Sequence, residues 1–232
     1  MQIHKKRGLF AMAEIKDKLI KYYSRHDRSI LVNAARGHFA TGNSHVNYFI
    51  DITRIKIRIG EAMESARALR QKLLYHVTEV DTICCLEGTE VLGAYLREEL
   101  EKGDFYTANM HETLYVVRPE ENKIHQYMFR TNTRMCIEGK NVVILVPSIT
   151  SGDTILRMAE CVEYYGGKVA GVAAIFSIKE EVGPYKIYYL FDDKDLPGYH
   201  ASSPQDCPLC KKGIPLEALI NGYGYSMLNI EK

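Results

Sequence analysis

Val142-Val143-Ile144-Leu145-Val146-Pro147-Ser148-Ile149-Thr150-Ser151-Gly152-Asp153-Thr154 is the stretch that decides the fold. From Asn141 to Val146 it is an unbroken apolar run with no polar alternation, the pattern of a strand buried on both faces of a parallel sheet. Pro147 to Asp153 then reads as a loop opening a helix from about Thr154 to Tyr165, which Gly166-Gly167 ends. Lys168 to Ser177 is a second buried strand. Backbone N–H groups at a helix start point outward and the helix dipole favours an anion there. Thr150, Ser151 and Thr154 add hydroxyls, and Gly152 lets the backbone approach a ligand closely. Ser, Thr and Asp at a helix start are equally ordinary caps, so the loop alone leaves a phosphate cradle and a plain cap both open.

The same rhythm extends toward the N-terminus. Residues 60–77 carry Ala62, Ala66, Leu69 and Leu73 at helical spacing. Thr82 to Leu86 is a short apolar strand, Glu90 to Lys102 a helix and Thr113 to Val117 a strand. Residues 118–139 are polar and poorly periodic and read as a long loop or hairpin, a type of segment that is often functional. Residues 11–36, with Ile15, Leu19, Ile20 and Tyr23, are expected to be helical. In residues 37–59, turns at Gly37 and Gly42-Asn43-Ser44 separate the strand-like pieces His38-Phe39 and Tyr48-Phe49-Ile50. Strands alternating with helices imply an α/β fold, a mostly parallel sheet flanked by helices. After residue 180 the composition turns to Gly, Pro, Asp and Tyr, and residues 181–232 read as a C-terminal extension packed on the main domain.

Composition bounds the function. A chain of 232 residues, 46% apolar and 25% charged, can bury a full core without metal or disulfide help. Lys plus Arg number 30 against 29 Asp plus Glu, a balance that argues against a general nucleic-acid or anionic-membrane binder. The longest apolar-rich run, Val169 to Ile178, is well short of the roughly 20 residues a membrane span needs. The apolar patch Leu9 to Ala13 is too short for a signal-peptide core, so a cytoplasmic location is expected.

Of the six cysteines, only Cys207-Pro208-Leu209-Cys210 has a spacing with chemical meaning. It is the turn of a zinc knuckle, but a structural zinc needs four ligands. His200 is a candidate third, and Cys84 or Cys85 a fourth; a second chain could also complete the set. Successive residues on a strand face opposite ways, so Cys84 and Cys85 would not both bind one ion. A redox-silent pair or a disulfide formed in air are the competing readings.

The strand–loop–helix stretch resembles the ribose-phosphate loop of type I phosphoribosyltransferases: an apolar strand, two acidic residues, two apolar residues, then Thr-Thr-Gly-x-Thr/Ser. The resemblance reaches further. Gly37 to Asp51 is similar to the N-terminal base-contacting segment of orotate phosphoribosyltransferases, Asp81 to Leu100 sits where that family has its pyrophosphate loop, and 118–139 where it has a hood loop. The similar segments occur in the family's order over about residues 30–180.

The resemblance implies a phosphoribosyltransferase-like domain over 1–180. It implies transfer of ribose 5-phosphate between phosphoribosyl pyrophosphate and orotate, with magnesium, in a homodimer. It places the phosphate on Thr150, Ser151, Gly152, Asp153 and Thr154, and the base on Phe39, Ser44, Tyr48 and Asp51. Glu87, Gly88, Thr89 and Arg118 fall in the pyrophosphate region, and Lys123, His125 and Asp153 take the catalytic positions. The family's acidic pair falls on Val146 and Pro147, which can neither accept a ribose hydroxyl nor bind a hard cation. That departure raises the alternative of a catalytically silent relative that binds a nucleotide or phosphosugar as a sensor.

Overall fold

The computed structural model describes residues 15–102, 114–124 and 126–228. After a 3₁₀ turn at Ile15–Lys18, the chain forms β1 (Ile20–Tyr23) and β2 (Leu31–Ala40), an antiparallel pair. This corrects the helix expected over 11–36, whose first four residues lie outside the described part. The physical reason is a turn at 24–30. The Asp27 carboxylate accepts the Ser29 backbone N–H at 2.9 Å, and Ser24 N–H reaches the Ile30 carbonyl. With the chain reversed there, β-prone Tyr22 and Val32 pair directly.

β3 (His45–Asp51) follows, then α1 (Thr53–Ile57) and α2 (Ile59–Leu73). β4 (Thr82–Cys85), α3 (Glu90–Glu101) and β5 (Tyr115–Val117) come next, as the periodicity expects. The polar stretch 118–139 holds a small hairpin, β6 (Glu120–Glu121) with β7 (Tyr127–Met128), and one helical turn, α4 (Thr131–Arg134). β8 (Asn141–Ile149), α5 (Asp153–Tyr164) and β9 (Lys168–Ser177) build the central unit. Beyond them lie β10 (Glu181–Val182), β11 (Tyr185–Phe191), β12 (Ala201–Ser202), the single turn α6 (Pro208–Lys211), β13 (Ala218–Asn221) and β14 (Gly224–Met227).

The main sheet has the order β10-β11-β9-β8-β4-β5, parallel except for β10. Strand alternation divides its core in two. Ile83, Cys85, Val143 and Leu145 face α2 and α3, packing with Leu69, Leu73, Leu92 and Leu96. Cys84, Val142, Ile144 and Val146 face the opposite way, onto Ile155, Met158 and Val162 of α5. Burying these aliphatic side chains contributes roughly 1.5–3 kcal/mol each.

β8 runs three residues past its expected end, through Pro147. Proline has no N–H to give a ladder, but Val146 and Ser148 pair with β9, and β4 has already ended opposite Leu145. Pro147 therefore sits where no neighbouring strand needs its N–H.

The second sheet has the order β12-β3-β2-β13-β14, with β1 also on β2. Among the described residues after 180, β10 and β11 belong to the main sheet and β12 to β14 to the second. Among the described residues no helix is long and apolar enough to cross a membrane.

Candidate functional site

β4 and β8 are neighbours, yet the helices that leave them pack on opposite faces of the sheet: α3 on one side, α5 on the other. The chain parts at their carboxyl ends, and parallel sheets bind ligands in the crevice that such a switch opens. The loop 86–89 forms one lip and the loop 150–152 the other.

The 150–152 lip is built for a close approach. Gly152, the residue before α5, has φ +94°, and a Cβ there would come within 2.8 Å of Val182. The first-turn N–H groups of α5 have no acceptor within the helix. Thr150 and Ser151 are half-buried beside them. Asp153 is exposed at the first helical position, where its carboxylate accepts the Asn43 side-chain amide at 2.8 Å.

The other lip departs from the expectation. Glu87 takes φ +49° and Gly88 φ +81°. Thr89 is fully buried; its hydroxyl donates to the Leu86 and Leu145 carbonyls at 2.9 and 3.1 Å, tying the lip to β8 instead of facing a ligand. Burial pushes the Glu87 carboxyl above the usual carboxylate range, against the Gly222 backbone N–H and the Lys56 ammonium.

Lys56 was not singled out by the sequence, because a lysine between Ile55 and Ile57 gives no sign that it is buried. Only 5% of it is exposed, and Nζ donates to the Glu87 carbonyl at 2.6 Å and the Gly222 carbonyl at 2.5 Å. Desolvation lowers its pKa, opposed by Glu87, Glu90 and Asp51.

The turn between β13 and β14 closes this side of the crevice. A Cβ on Gly222 would lie 1.8 Å from Glu87 Oε2 and 2.7 Å from Pro147 Cγ, so only glycine fits. Tyr223 lies under Lys56, with Nζ 5.1 Å from its ring centre, and its hydroxyl accepts from Arg118 at 3.4 Å. Arg118 also pairs with Glu90 at 3.6 Å. The hood-region arginine is thereby joined to the C-terminal turn.

From Thr150 a narrow cleft leads between the sheets, lined by Tyr48, Ile50, Ser148, Tyr199 and Asn221 among others. Tyr48 and Tyr199 stack with ring centres 6.1 Å apart and planes at 23°. The Tyr48 hydroxyl donates to the Pro197 carbonyl at 2.9 Å and accepts from Arg36 Nε at 2.6 Å.

Of the four residues expected at the base, Tyr48 alone lines this cleft. Phe39 is fully buried in a separate core with Phe49 and Val46. Ser44 closes the β2–β3 turn, its N–H donating to Thr41 Oγ1 at 2.9 Å. The Asp51 carboxylate accepts the Thr53 backbone N–H at 3.0 Å, an Asx turn just before α1. Lys123 is exposed in the turn between β6 and β7, and His125 lies outside the described residues.

Cys207 and Cys210 face His38 and His45, and the four ligand atoms lie within 4.8 Å of one another. The expected partners are elsewhere. His200 is held beside β3, its N–H donating to Asn47 Oδ1 at 2.7 Å. Cys84 and Cys85 are fully buried in the two halves of the main core, and burial pushes the Cys85 thiol up to about 12.

No family model matches the chain. In sequence it is 26% identical, over 76% of its length and 86% of the relative's, to the orotate phosphoribosyltransferase of Wolinella succinogenes. It is 24% identical to that of Sulfurimonas denitrificans over 76% and 87%. In structure, the crystal structure of orotate phosphoribosyltransferase from Aeropyrum pernix superposes with a TM-score of 0.50 at 14% identity, over 69% of this chain and 88% of that one. The chain is a sequence relative of the orotate phosphoribosyltransferases and has the type I phosphoribosyltransferase fold.

Proposed function

We propose that the chain transfers a 5-phosphoribosyl group between phosphoribosyl pyrophosphate and orotate. One observation carries this reading: the strand–loop–helix lip of the crevice, with Gly152 at positive φ, in a chain related to orotate phosphoribosyltransferases over three quarters of its length. Thr150, Ser151 and the N–H groups from Gly152 to Thr154 hold the 5′-phosphate. Tyr48, Ile50 and Tyr199 give the cleft a flat apolar wall for the base. In the transfer the C1–N bond to orotate forms, the C1–O bond to pyrophosphate breaks with its electron pair leaving on the pyrophosphate oxygen, and the proton of the base nitrogen passes to solvent. Arg118, Lys123 and His125 are the side chains assigned to the leaving pyrophosphate, whose charge must be neutralised, and the buried Lys56 holds the Glu87 and Gly222 carbonyls behind them. By the resemblance the working unit is a homodimer.

Magnesium is the ion the resemblance implies, and the donor set does not fit one held by the protein at the acidic-pair positions. Val146 and Pro147 offer no side-chain oxygen, and the Glu87 carboxyl is engaged by the Gly222 N–H. No step here passes through a protein-held magnesium.

Those same observations favour a second reading, binding of the nucleotide without turnover, since the Gly222 turn fills the pyrophosphate side. An orotate-consumption assay with phosphoribosyl pyrophosphate and magnesium separates the two. Sustained consumption that is lost in Lys56→Met establishes transfer. Saturable binding of orotidine 5′-monophosphate with no consumption establishes the silent form. No consumption and no binding contradicts both.

A further inference from the structure

We propose that His38 Nε2, His45 Nδ1, Cys207 Sγ and Cys210 Sγ form a closed tetrahedral zinc site that clamps the C-terminal segment to the β2–β3 hairpin. The inference rests on this cluster alone and stands whether or not the chain transfers phosphoribosyl groups.

The geometry carries it. His38 Nε2 lies 3.3 Å from Cys207 Sγ, 3.7 Å from Cys210 Sγ and 3.3 Å from His45 Nδ1; His45 Nδ1 lies 3.3 Å from Cys210 Sγ. A tetrahedral zinc with bonds of about 2.3 Å to sulfur and 2.0–2.1 Å to nitrogen sets its ligands about 3.6 Å apart for S···N and about 3.3 Å for N···N. The four spacings given come within about 0.3 Å of those values, and all four ligand atoms lie within 4.8 Å of one another. The second shell is also in place. His38 Nδ1 lies 2.8 Å from the Ile214 carbonyl, which only accepts, so Nδ1 carries the proton and Nε2 presents its lone pair to the centre. His38 and Cys207 are almost wholly buried, whereas Cys210 is exposed, which leaves an entry path. Four protein ligands leave no open position, the mark of a structural zinc rather than a catalytic one. Two neutral imidazoles and two thiolates also balance the ion's charge, the thiol protons passing to solvent as it binds.

The surroundings show what the ion does. Between β12 and β13, residues 203–217 are mostly exposed, and Cys207 is their one buried hydrophobic side chain. β12 has two residues, and β13 meets β2 only at Ala218–Phe39 and Leu219–Ala40. A segment with so little core needs another hold, and a metal supplies it. On the sheet side, β2 breaks register between Arg36 and Phe39, and such bulges re-aim a side chain, here His38. β13 ends at Asn221, and Asn221 and Gly222 line the cleft. The clamp therefore fixes one wall of that cleft.

Elemental analysis of the full, tag-free chain tests the inference. About one zinc per chain is expected in the wild type, and below about a tenth in Cys207→Ser/Cys210→Ser and in His45→Ala. Cobalt titration of the chelator-stripped wild type keeps the test decisive if those variants fold poorly. It should give the thiolate charge-transfer and visible bands of a tetrahedral S₂N₂ centre at one equivalent. Three results would each overturn the proposal: zinc retained in the double cysteine variant, a wild type that takes up neither metal, or a Cys207–Cys210 disulfide in freshly purified protein.

Discussion

Val146→Glu is expected to lower the stability of the folded chain by about 3–5 kcal/mol, within the roughly 2–7 kcal/mol cost of burying a polar group with no hydrogen-bond partner. Val146 is 1% exposed and sits on β8 opposite Ala174 of β9. Its side chain belongs to the half-core with Ile144, Val172 and Ile155 under α5. A glutamate would bring a carboxylate among aliphatic groups that offer it no donor, and it would take up a proton instead of ionising. The position is one of the two on which the family's acidic pair falls, so a substitution that looks restorative in the sequence is disruptive in the fold. Urea denaturation gives the shift directly. A midpoint equal to the wild type's would mean that residue 146 faces the crevice and not α5.

Gly152→Ala is the second large effect, about 2–6 kcal/mol. A backbone at φ +94° costs a residue with a side chain roughly 1–3 kcal/mol. The new methyl would also meet Val182 at 2.8 and 2.9 Å, an overpacking that typically adds 1–3 kcal/mol unless β10 yields. Because Gly152 is the N-cap of α5, the same change should disturb the phosphate lip. Gly42→Ala is the control: a Cβ there meets nothing within 4 Å, and a change within about 0.5 kcal/mol is expected. Equal midpoints for the two variants would remove the argument for a strained, close-packed turn.

The parts legible in the sequence are those where one local pattern fixes one outcome. The apolar run of β8, the loop 150–152 and the spacing of α2, α3 and α5 are of this kind, and they place the crevice. The parts that were not legible depend on pairing between distant residues. β1 and β2 carry Ile20, Tyr23 and Leu31 at spacings that also suit a helix, and only the turn at 24–30 decides between them. The metal cluster joins Cys207 and Cys210 to two histidines about 165 residues away, brought side by side by a hairpin and a bulge. Gly37, where a Cβ would lie 2.5 Å from both Glu217 and Phe39, was visible as a turn signal but not as a bulge. The burial of Lys56 and the Gly222 turn that seats against Glu87 and Pro147 arise from the C-terminal hairpin, whose place in the second sheet no local pattern records.

The claim that the β8–α5 lip grips a 5′-phosphate is tested most directly by calorimetric titration with orotidine 5′-monophosphate, comparing the wild type with Thr150→Val/Ser151→Ala. A hydrogen bond to a charged group contributes about 1.5–3 kcal/mol, and about 1.4 kcal/mol is tenfold in affinity. Saturable wild-type binding that weakens about tenfold or more in the variant, with the urea midpoint unchanged, is the predicted result. Equal affinity in both proteins, or no binding by a folded wild type, would contradict the account.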